Sequence, residues 1–273
     1  MALIEKALTE SFYGTPPKYT YFYGGSTGGR QAYMLTQRYP NDFDGILGFC
    51  PAINWDKFQW SPLWAHRDMD KKVVYPRPCE FEAITAAATK ACDRLDRVEN
   101  GIVSMPSRSF FDTRTLVGHP FDCGGTDALF TAEAAEAANA AWNGPQSISG
   151  EFHWFRKAGG KLLSWHGMTD QIIPVNVTVD YTDRVLKKDP KAHDYFRQFL
   201  APGADHSISN ALAPRNTLSA LIDWVDKGIA PVALRVEGLN AYGKQMRRDI
   251  CMYPQVQHYI GGDPASPASF ACV

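Results

Sequence analysis

Three residues in this chain have the types and the placement that nucleophilic chemistry requires: a serine, an aspartate and a histidine. Ser26 lies within Tyr21–Met34, YFYGGSTGGRQAYM, where an aromatic, β-prone segment runs into Gly-Gly-Ser-Thr-Gly and then into a helix-like segment. A strand, a G-x-S-x-G sequence and a helix make up the nucleophile-elbow pattern, in which a sharp turn exposes the serine hydroxyl at the sheet edge. The pattern predicts that Ser26 is a nucleophile, with the Thr27 N–H as an oxyanion donor, rather than part of a glycine-rich turn without a chemical role.

An elbow serine needs an acid and then a histidine further along the chain. Asp170 follows the apolar segment LLSWHG and His206 follows YFRQFL, so both are expected past the carboxyl ends of parallel strands. We predict that His206 is the general base and then acid, and that Asp170 holds its imidazole. His166 precedes the acid and is expected to pack or to form a hydrogen bond. Asp205 is too close to His206 in sequence to orient its ring well.

The segments around these residues predict an α/β fold. A helix that reaches about Glu10 precedes a strand at Tyr19–Tyr23, and a helix at Gly28–Arg38 leads to a buried strand at Phe43–Phe49. After residue 158 the alternation returns, with the predicted elements GGKLLSWHG (strand), Val175–Leu186 (helix), YFRQFL (strand) and TLSALIDWVDKG (helix).

The middle of the chain has a different character. From Trp55 to Trp154 no parallel strand is expected, and EFEAITAAATKACD and TAEAAEAANAAW are predicted to be helices. We therefore divide the chain into a first core part with the elbow at 1–54, a lid or insertion at 55–154, and a second core part at 155–273. The last part carries the Asp and His loops and a loop-rich tail.

The composition limits the partners of this chain. Its 273 residues carry a net charge of −1, too balanced to indicate a nucleic acid. No apolar run approaches the ~20 residues that a membrane-spanning helix needs. Charged residues interrupt the N-terminal segment, which is predicted to be an amphipathic helix and not a signal peptide. The six cysteines include no C-x-x-C pair, which argues against a disulfide scaffold and a zinc cluster.

Long stretches of the chain resemble the tannase and feruloyl esterase family, in particular its fungal members, a family that includes mono(2-hydroxyethyl) terephthalate hydrolase. The resemblance is carried by GGSTGGRQAYMLTQRYPNDFDGILGFCPAINW, AGGKLLSWHGMTDQIIP, FLAPGADH and CMYPQVQHYIGGDPASPASFACV. It implies an α/β-hydrolase core with a lid, and hydrolysis of aromatic or phenolic esters through an acyl-serine. Trp55, Phe58, Trp60 and Trp64 could line an aromatic pocket or form the core of the lid.

The resemblance also implies a change at the elbow. The family usually has a cysteine beside the elbow serine and another after the base, joined in a disulfide, and this chain has Gly25 and Ser207 there. The two catalytic loops would therefore lack that tether. The joint absence of both cysteines fits a reducing compartment or drift in a secreted protein.

By the same resemblance, Cys251 and Cys272 are expected to form a tail disulfide. Cys92 and Cys123 match two lid disulfides whose partner positions hold other residues, so both are expected to be free.

The segment CDRLDRVENGIV resembles the family's calcium loop in the lid. Side-chain and backbone oxygens at alternating positions suit Ca²⁺, which is a hard cation. Without the resemblance, the segment would be interpreted as an acidic, solvated turn. The implied ligands are the side chains of Asp93, Asp96 and Asn100 and the carbonyls of Val98 and Ile102. Asn100 replaces the usual aspartate, so the affinity is expected to be lower.

Two departures from the family pattern bear on activity. Only one helix precedes the elbow strand, so the core is expected to lack N-terminal strands and one oxyanion donor, and to keep about four strands. The lid is expected to be shortened, with the core resuming at Phe155. We expect a serine hydrolase of aromatic esters. The alternatives are a hydrolase or lactonase of an aromatic polyketide pathway, or a non-catalytic remnant that binds an aromatic ligand or a partner chain.

Overall fold

The structure is a computed structural model that describes residues 1–55, 59–143, 158–206 and 212–273. The α-helices used below are α1 (Ala2–Tyr13), α2 (Thr27–Arg38), α3 (Trp60–Lys72), α4 (Pro78–Cys92), α5 (Ala132–Trp142), α6 (Val175–Lys188) and α7 (Thr217–Lys227). The strands are β1 (Tyr21–Gly25), β2 (Gly45–Phe49), β3 (Pro120–Asp122), β4 (Asp127–Leu129), β5 (Lys161–Gly167), β6 (Phe196–Ala201), β7 (Ala213–Pro214), β8 (Ala233–Leu239), β9 (Gln245–Cys251), β10 (Gln257–Tyr259) and β11 (Phe270–Cys272).

A parallel sheet of four strands, in the order β1-β2-β5-β6, forms the centre of the molecule. The sequence predicts all four strands, and also the helices α2, α6 and α7, with ends that coincide or differ by at most two residues. Strands and helices alternate along the chain in this part, so the predicted α/β class is confirmed.

Both faces of this sheet are covered, because successive side chains of a strand point to opposite faces. Ile46, Leu162 and Phe196 share one row and pack with residues of α2 and α6. Leu47 and Leu163 pack on the other face with α7 and the antiparallel sheet β7-β8-β9. Burying each such side chain contributes about 1.5–3 kcal/mol relative to leaving it in water. The sheet is therefore a rigid support for the loops at its edges.

The turn after β1 brings two backbone segments close together. A Cβ on Gly24 would lie 2.7 Å from the carbonyl carbon and oxygen of Gly28, a distance that leaves no room for it. Gly24 therefore lacks a side chain because the first turn of α2 passes over the end of β1. Gly28 has open space around its own Cβ position, so this contact does not explain the second glycine of the motif.

The described residues between β2 and β5 form a smaller unit beside the sheet. They include α3, α4, α5 and the antiparallel pair β3–β4, and within these residues no parallel strand occurs, as predicted. The two predicted helices are α4 and α5. Ile84, Phe130, Ala134 and Ala138 form a separate hydrophobic cluster in this unit.

The antiparallel hairpin β8–β9 was not predicted from the sequence. Charged residues alternate with apolar ones on both strands, so no apolar run marks them. Arg235 pairs with Asp249 and Arg247 with Glu237 across the hairpin, while Val236 points inward and is buried. The tail beyond β9, predicted to be rich in loops, contains the short pair β10–β11.

Two disulfides join cysteines in the described ranges. Cys251 is bonded to Cys272, as predicted. The prediction that Cys123 is free is wrong, because Cys123 is bonded to Cys79. The β3–β4 pair packs beside the start of α4 and brings the two Cα atoms to 5.4 Å, within the usual range for a disulfide. Cys92 is free, as predicted, and so is Cys50, and both are buried.

The helix at the start of the sequence forms as predicted and runs three residues further, to Tyr13. None of its side chains is buried, and Leu8 and Phe12 of its apolar side are exposed.

Among the described helices, none combines the length and the hydropathy needed to cross a bilayer.

Candidate active site

Ser26 lies at the turn between β1 and α2, in a backbone conformation that residues with a Cβ rarely adopt. Its φ is 57° and its ψ is −115°, and such a conformation is maintained only by the surrounding structure. Its N–H donates to the Phe49 carbonyl at 3.0 Å, and its carbonyl accepts the N–H of Ala52 at 3.1 Å. The hydroxyl does not cap α2, so it remains available to another partner.

The three residues predicted from motif and chain order meet at the carboxyl edge of the sheet. His206 Nε2 lies 3.1 Å from Ser26 Oγ, and His206 Nδ1 lies 2.8 Å from Asp170 Oδ2. Ser26 follows β1, Asp170 lies in the loop after β5 and His206 lies in the loop after β6. The parallel strands thus bring Ser26 and His206 together although they are 180 positions apart in the chain. The predicted hydrogen bonds from His206 to Ser26 and to Asp170 are confirmed.

The carboxylate of Asp170 is buried and surrounded by donors. Its Oδ1 accepts the N–H groups of Ile172 and Ile173 at 2.9 and 2.8 Å, and its Oδ2 contacts the rings of His166 and His206. Burial alone raises the pKa of Asp170. The hydrogen bonds from His166, Ile173 and His206 outweigh this effect and hold the pKa at about 2. Asp170 is therefore ionised at every pH at which the protein would be expected to work.

His166, rejected as the base because of its position in the chain, is a hydrogen-bonding residue, as predicted. It is fully buried, its Nδ1 lies 2.7 Å from Thr178 Oγ1, and its Nε2 lies 3.1 Å from Asp170 Oδ2 and from the Ile173 carbonyl. These contacts are consistent with an Nε2–H that donates to Asp170. His166 therefore fixes the orientation of the carboxylate that in turn contacts His206.

Hydrogen bonds connect the aspartate loop to the histidine loop. Both the N–H and the hydroxyl of Thr169 donate to the Ala204 carbonyl, at 3.0 and 2.7 Å. The His206 N–H donates to Gln171 Oε1 at 3.2 Å. The two loops are thus tied to each other without a covalent bond.

The ring of Phe49 explains the glycine beside Ser26. A Cβ on Gly25 would lie 2.2 Å from two carbons of that ring, so a side chain at position 25 would overlap the ring where it now lies. The ring is held in place by Trp165, on which it stacks with centroids 5.3 Å apart, and by Tyr23. A cysteine pair at positions 25 and 207 would therefore require Phe49 to move. Ser207 itself lies outside the described residues.

The structure adds Cys50, which the sequence analysis did not single out. Cys50 follows β2 as Ser26 follows β1, and its φ is also positive, at 41°. Its Sγ, a carboxylate oxygen of Asp170 and a ring nitrogen of His206 all lie within 4.8 Å of one another. Burial, together with the nearby Asp170 carboxylate, raises the pKa of the thiol to about 12. Its position directly after the strand next to β1 is visible in the sequence, but that position alone does not distinguish it from a core cysteine.

Thr27 is the first residue of α2, so its N–H has no acceptor within the helix. No backbone hydrogen bond between described residues uses it outside the helix either. A free N–H directly after the nucleophile suits an oxyanion donor, and that role stays a prediction.

The candidate ligand side chains of the loop predicted to bind calcium are buried, which argues against a fully solvated acidic turn, although Arg94 and Glu99 of the same loop are exposed. Asp93, Asp96 and Asn100 are 0%, 1% and 5% exposed. The Asp93 carboxylate accepts the N–H groups of Gly101 and Ile102, at 2.8 and 3.2 Å. The loop therefore closes around its own carboxylates.

The residues predicted to line a pocket are only partly described. Trp55, Trp60 and Trp64 are 44%, 63% and 36% exposed, too much for the core of the lid, and Phe58 lies outside the described residues. The guanidinium of Arg30, on the first turn of α2, lies 4.2 Å from the centre of the Trp55 ring. Trp55 is thus anchored near the nucleophile turn, while Trp60 and Trp64 lie on α3.

A serine at a strand-to-helix turn, followed in the chain by a carboxylate and a histidine on later loops of a parallel sheet, defines an α/β hydrolase. The family model for tannase and feruloyl esterase matches residues 1–153 and 146–273. A probable feruloyl esterase from Arthroderma benhamiae is 32% identical over 358 positions, covering 100% of this chain and 67% of that protein. A probable feruloyl esterase B-1 from Aspergillus flavus is 26% identical, covering 99% and 69%.

Two solved structures share the fold. Tannin acyl hydrolase from Aspergillus niger superposes with a TM-score of 0.85 at 21% identity, covering 100% of this chain and 68% of that one. Feruloyl esterase B from Aspergillus oryzae superposes with a TM-score of 0.79 at 22% identity, covering 100% and 72%. This chain belongs to the tannase and feruloyl esterase family of carboxylic ester hydrolases.

The contact between Gly25 and Phe49 leads to a testable prediction. Gly25→Ala should destabilise the fold by about 1–3 kcal/mol, because the added carbon overlaps the ring. In a Phe49→Ala background the same change should cost little, so the two substitutions should be strongly non-additive. Urea unfolding of the two single variants, the double variant and the wild type measures this coupling.

Gly28→Ala is the matched control, because its Cβ would meet no atom within 4 Å. It should leave stability unchanged or raise it slightly, since alanine is favoured over glycine in a helix. Additive effects of the changes at positions 25 and 49 would contradict the steric explanation.

Proposed function

We propose that this protein hydrolyses carboxylic esters of aromatic acids through an acyl-serine intermediate. Ser26 is the nucleophile, His206 the general base and then acid, and Asp170 the group that orients the imidazole. The observation that supports this proposal is the hydrogen-bonded series from Ser26 Oγ through the His206 ring to Asp170 Oδ2.

In the first half of the reaction, Ser26 Oγ attacks the ester carbonyl carbon while His206 Nε2 takes the hydroxyl proton. The carbonyl oxygen becomes an oxyanion, for which the Thr27 N–H is the donor nearest in sequence. The tetrahedral intermediate collapses, the bond to the alcohol oxygen breaks, and His206 returns the proton to that oxygen. The alcohol leaves, and the acyl group remains on Ser26.

In the second half, a water molecule takes the place of the alcohol. His206 Nε2 removes a proton from it, the resulting hydroxide attacks the acyl carbon, and the proton returns to Ser26 Oγ as the acid leaves. Asp170 keeps the Nδ1 proton in place in both halves, so that Nε2 is the nitrogen that accepts. Because the pKa of Asp170 is held at about 2, loss of activity on mild acidification would not arise from this carboxylate.

The aromatic acyl group is proposed from the relatives' names and from the tryptophans near the site. Trp55 is half-exposed and lies against Arg30, whose N–H donates to the Ser26 carbonyl at 3.0 Å. A fixed aromatic face close to the nucleophile suits stacking with a phenolic ring. The feruloyl and tannin esters named for the relatives both belong to this chemical class.

We also propose that the lid is shorter than the corresponding region of the relatives. The alignment with the Arthroderma benhamiae protein runs over 358 positions although this chain contributes 273 residues. The two segments that match the family model overlap at 146–153, at the end of the predicted lid. A shorter lid would leave the aromatic side of the site more open to bulky esters.

Ser26→Ala tests the nucleophile. The rate of p-nitrophenyl acetate hydrolysis should fall by roughly 10⁴–10⁶ in this variant, because it lacks the hydroxyl that is proposed to form the acyl intermediate. Ser219→Ala, which removes an exposed hydroxyl from α7, is the control and should keep the wild-type rate. Mass spectrometry after treatment with a fluorophosphonate should locate the label on Ser26. Equal rates for wild type and Ser26→Ala would refute the mechanism.

Trp55→Leu tests the aromatic subsite. The KM for methyl ferulate should rise several-fold, in line with the ~0.5–1.5 kcal/mol of an aromatic pair, while that for p-nitrophenyl acetate should change little. Trp142→Leu is a matched control, because Trp142 is 43% exposed and Trp55 44%. If both variants change the two KM values alike, Trp55 does not contact the acyl group.

We propose in addition that the loop from Asp93 to Ile102 binds a structural Ca²⁺. Asp96 Oδ2 is buried without a hydrogen bond, and the nearest cation, the Arg248 guanidinium, is 3.7 Å away. Among the described residues, no backbone N–H donates to the carbonyls of Val98 and Ile102. These oxygens fit a hard cation, which would bind the side chains of Asp93, Asp96 and Asn100 and the two carbonyls, and would rigidify the loop.

Thermal unfolding tests this calcium proposal. Free Ca²⁺ at 100 times its Kd should stabilise the fold by about 2.7 kcal/mol, which corresponds to a rise in Tm of roughly 5 °C over the EGTA-treated protein. Asp96→Asn should lose most of this difference. Glu99→Gln should keep it, because Glu99 is exposed and pairs with Arg94 in the same loop. A Tm that does not respond to EGTA would argue against the site.

A further inference from the structure

Cys50 places a third kind of donor beside the acid and the base of the active site. The pairing of Gly25 with Phe49 sets the ends of β1 and β2 at the same level, so Ser26 and Cys50 emerge side by side. The Cys50 Sγ, an Asp170 carboxylate oxygen and a His206 ring nitrogen lie within 4.8 Å of one another. Ester hydrolysis as proposed above makes no use of the thiol, and Cys50 forms no disulfide.

The imidazole of His206 is the most exposed of the three side chains. Cys50 is 1% exposed and the Asp170 side chain is fully buried, whereas the His206 side chain is 16% exposed. A cation is therefore expected to approach the cluster from the side of His206.

Thiolate, imidazole and carboxylate together are the donors that zinc and its heavier relatives prefer. A tetrahedral zinc ion has bonds of about 2.0–2.3 Å, so its donors lie roughly 3.3–3.8 Å apart. Separations in the cluster of up to 4.8 Å would shrink by roughly 1–1.5 Å to reach this spacing, and the 2.8 Å contact between Asp170 Oδ2 and His206 Nδ1 would widen to about 3.3 Å. We propose that Cys50, Asp170 and His206 bind one thiophilic divalent cation, such as Zn²⁺ or Cd²⁺, and that this cation reversibly inhibits the enzyme.

The mechanism of inhibition follows from the proton positions and rests on the proposed function of His206 as the base. Binding forms a metal–sulfur bond and releases the thiol proton to solvent. If Nδ1 binds the cation, the ring proton moves to Nε2, which then cannot accept the proton of Ser26. If Nε2 binds the cation, its lone pair is occupied directly. In either case the Ser26 hydroxyl loses its base.

Inhibition titrations test the proposal with ZnCl₂ and CdCl₂ at constant saturating CaCl₂, without thiol reductant. Each variant is compared with its own metal-free rate of p-nitrophenyl acetate hydrolysis. Cys50→Ala should require at least roughly tenfold more metal for half-inhibition than wild type, because it lacks the thiolate ligand. Cys92→Ala removes the other free, buried thiol in the described ranges and should keep the wild-type sensitivity. If Cys50→Ala does not fold, Cys50→Ser should behave in the same way.

Cadmium absorption gives a second readout that does not depend on catalysis. Cd²⁺ should produce a thiolate-to-metal charge-transfer band with one equivalent bound in wild type, in Ser26→Ala and in Cys92→Ala, and none in Cys50→Ala. If the band appears but the rate is unaffected, the metal site stands and the role of His206 as base fails. Equal sensitivity of wild type and Cys50→Ala to both metals, or a band that persists in Cys50→Ala, would overturn the proposal.

Discussion

The parallel register of the four central strands is the constraint on which the site depends. The row formed by Gly25, Phe49, Trp165 and Phe199 runs straight across the sheet. The chain leaves every strand just beyond this row, so side chains from distant parts of the sequence meet there. A shift of one residue in any pairing would turn that strand's side chains to the opposite face. The buried rows above and below hold this register, because such a shift would expose them.

The second requirement of the site is a buried carboxylate that keeps its charge. A carboxylate removed from water without partners would take up a proton, and it could not then support a protonated imidazole. The loop after β5 supplies two backbone N–H groups, and His166 at the end of β5 supplies a ring nitrogen. Asp170 is therefore kept ionised mainly by its own loop and strand.

Much of this arrangement could be predicted from the sequence, because the elbow motif and the order of serine, acid and base leave few choices. The four parallel strands could also be predicted from the sequence, since three of them contain apolar runs and the fourth leads into the elbow motif. The role of Cys50 could not be predicted from the sequence. A buried cysteine at the end of a strand resembles any core residue until its neighbours in space are known. The Cys79–Cys123 disulfide was missed for a related reason: it depends on how the β3–β4 pair packs on α4, which no local pattern encodes.

The hairpin β8–β9 shows a different limit of sequence patterns. Its charged residues form ion pairs across the two strands, so the segment reads as polar even though alternate positions are buried. Strand propensity depends on the cross-strand neighbour, and that neighbour is unknown before the fold is known.

The overlap between a Cβ at position 25 and the ring of Phe49 affects the order in which substitutions at these two positions can accumulate. If position 25 carries a side chain, an aromatic residue at position 49 overlaps it, so that intermediate is expected to be destabilised. The less costly order places glycine at position 25 before the aromatic residue appears at position 49. In reverse, the less costly order removes the ring before a side chain returns to position 25.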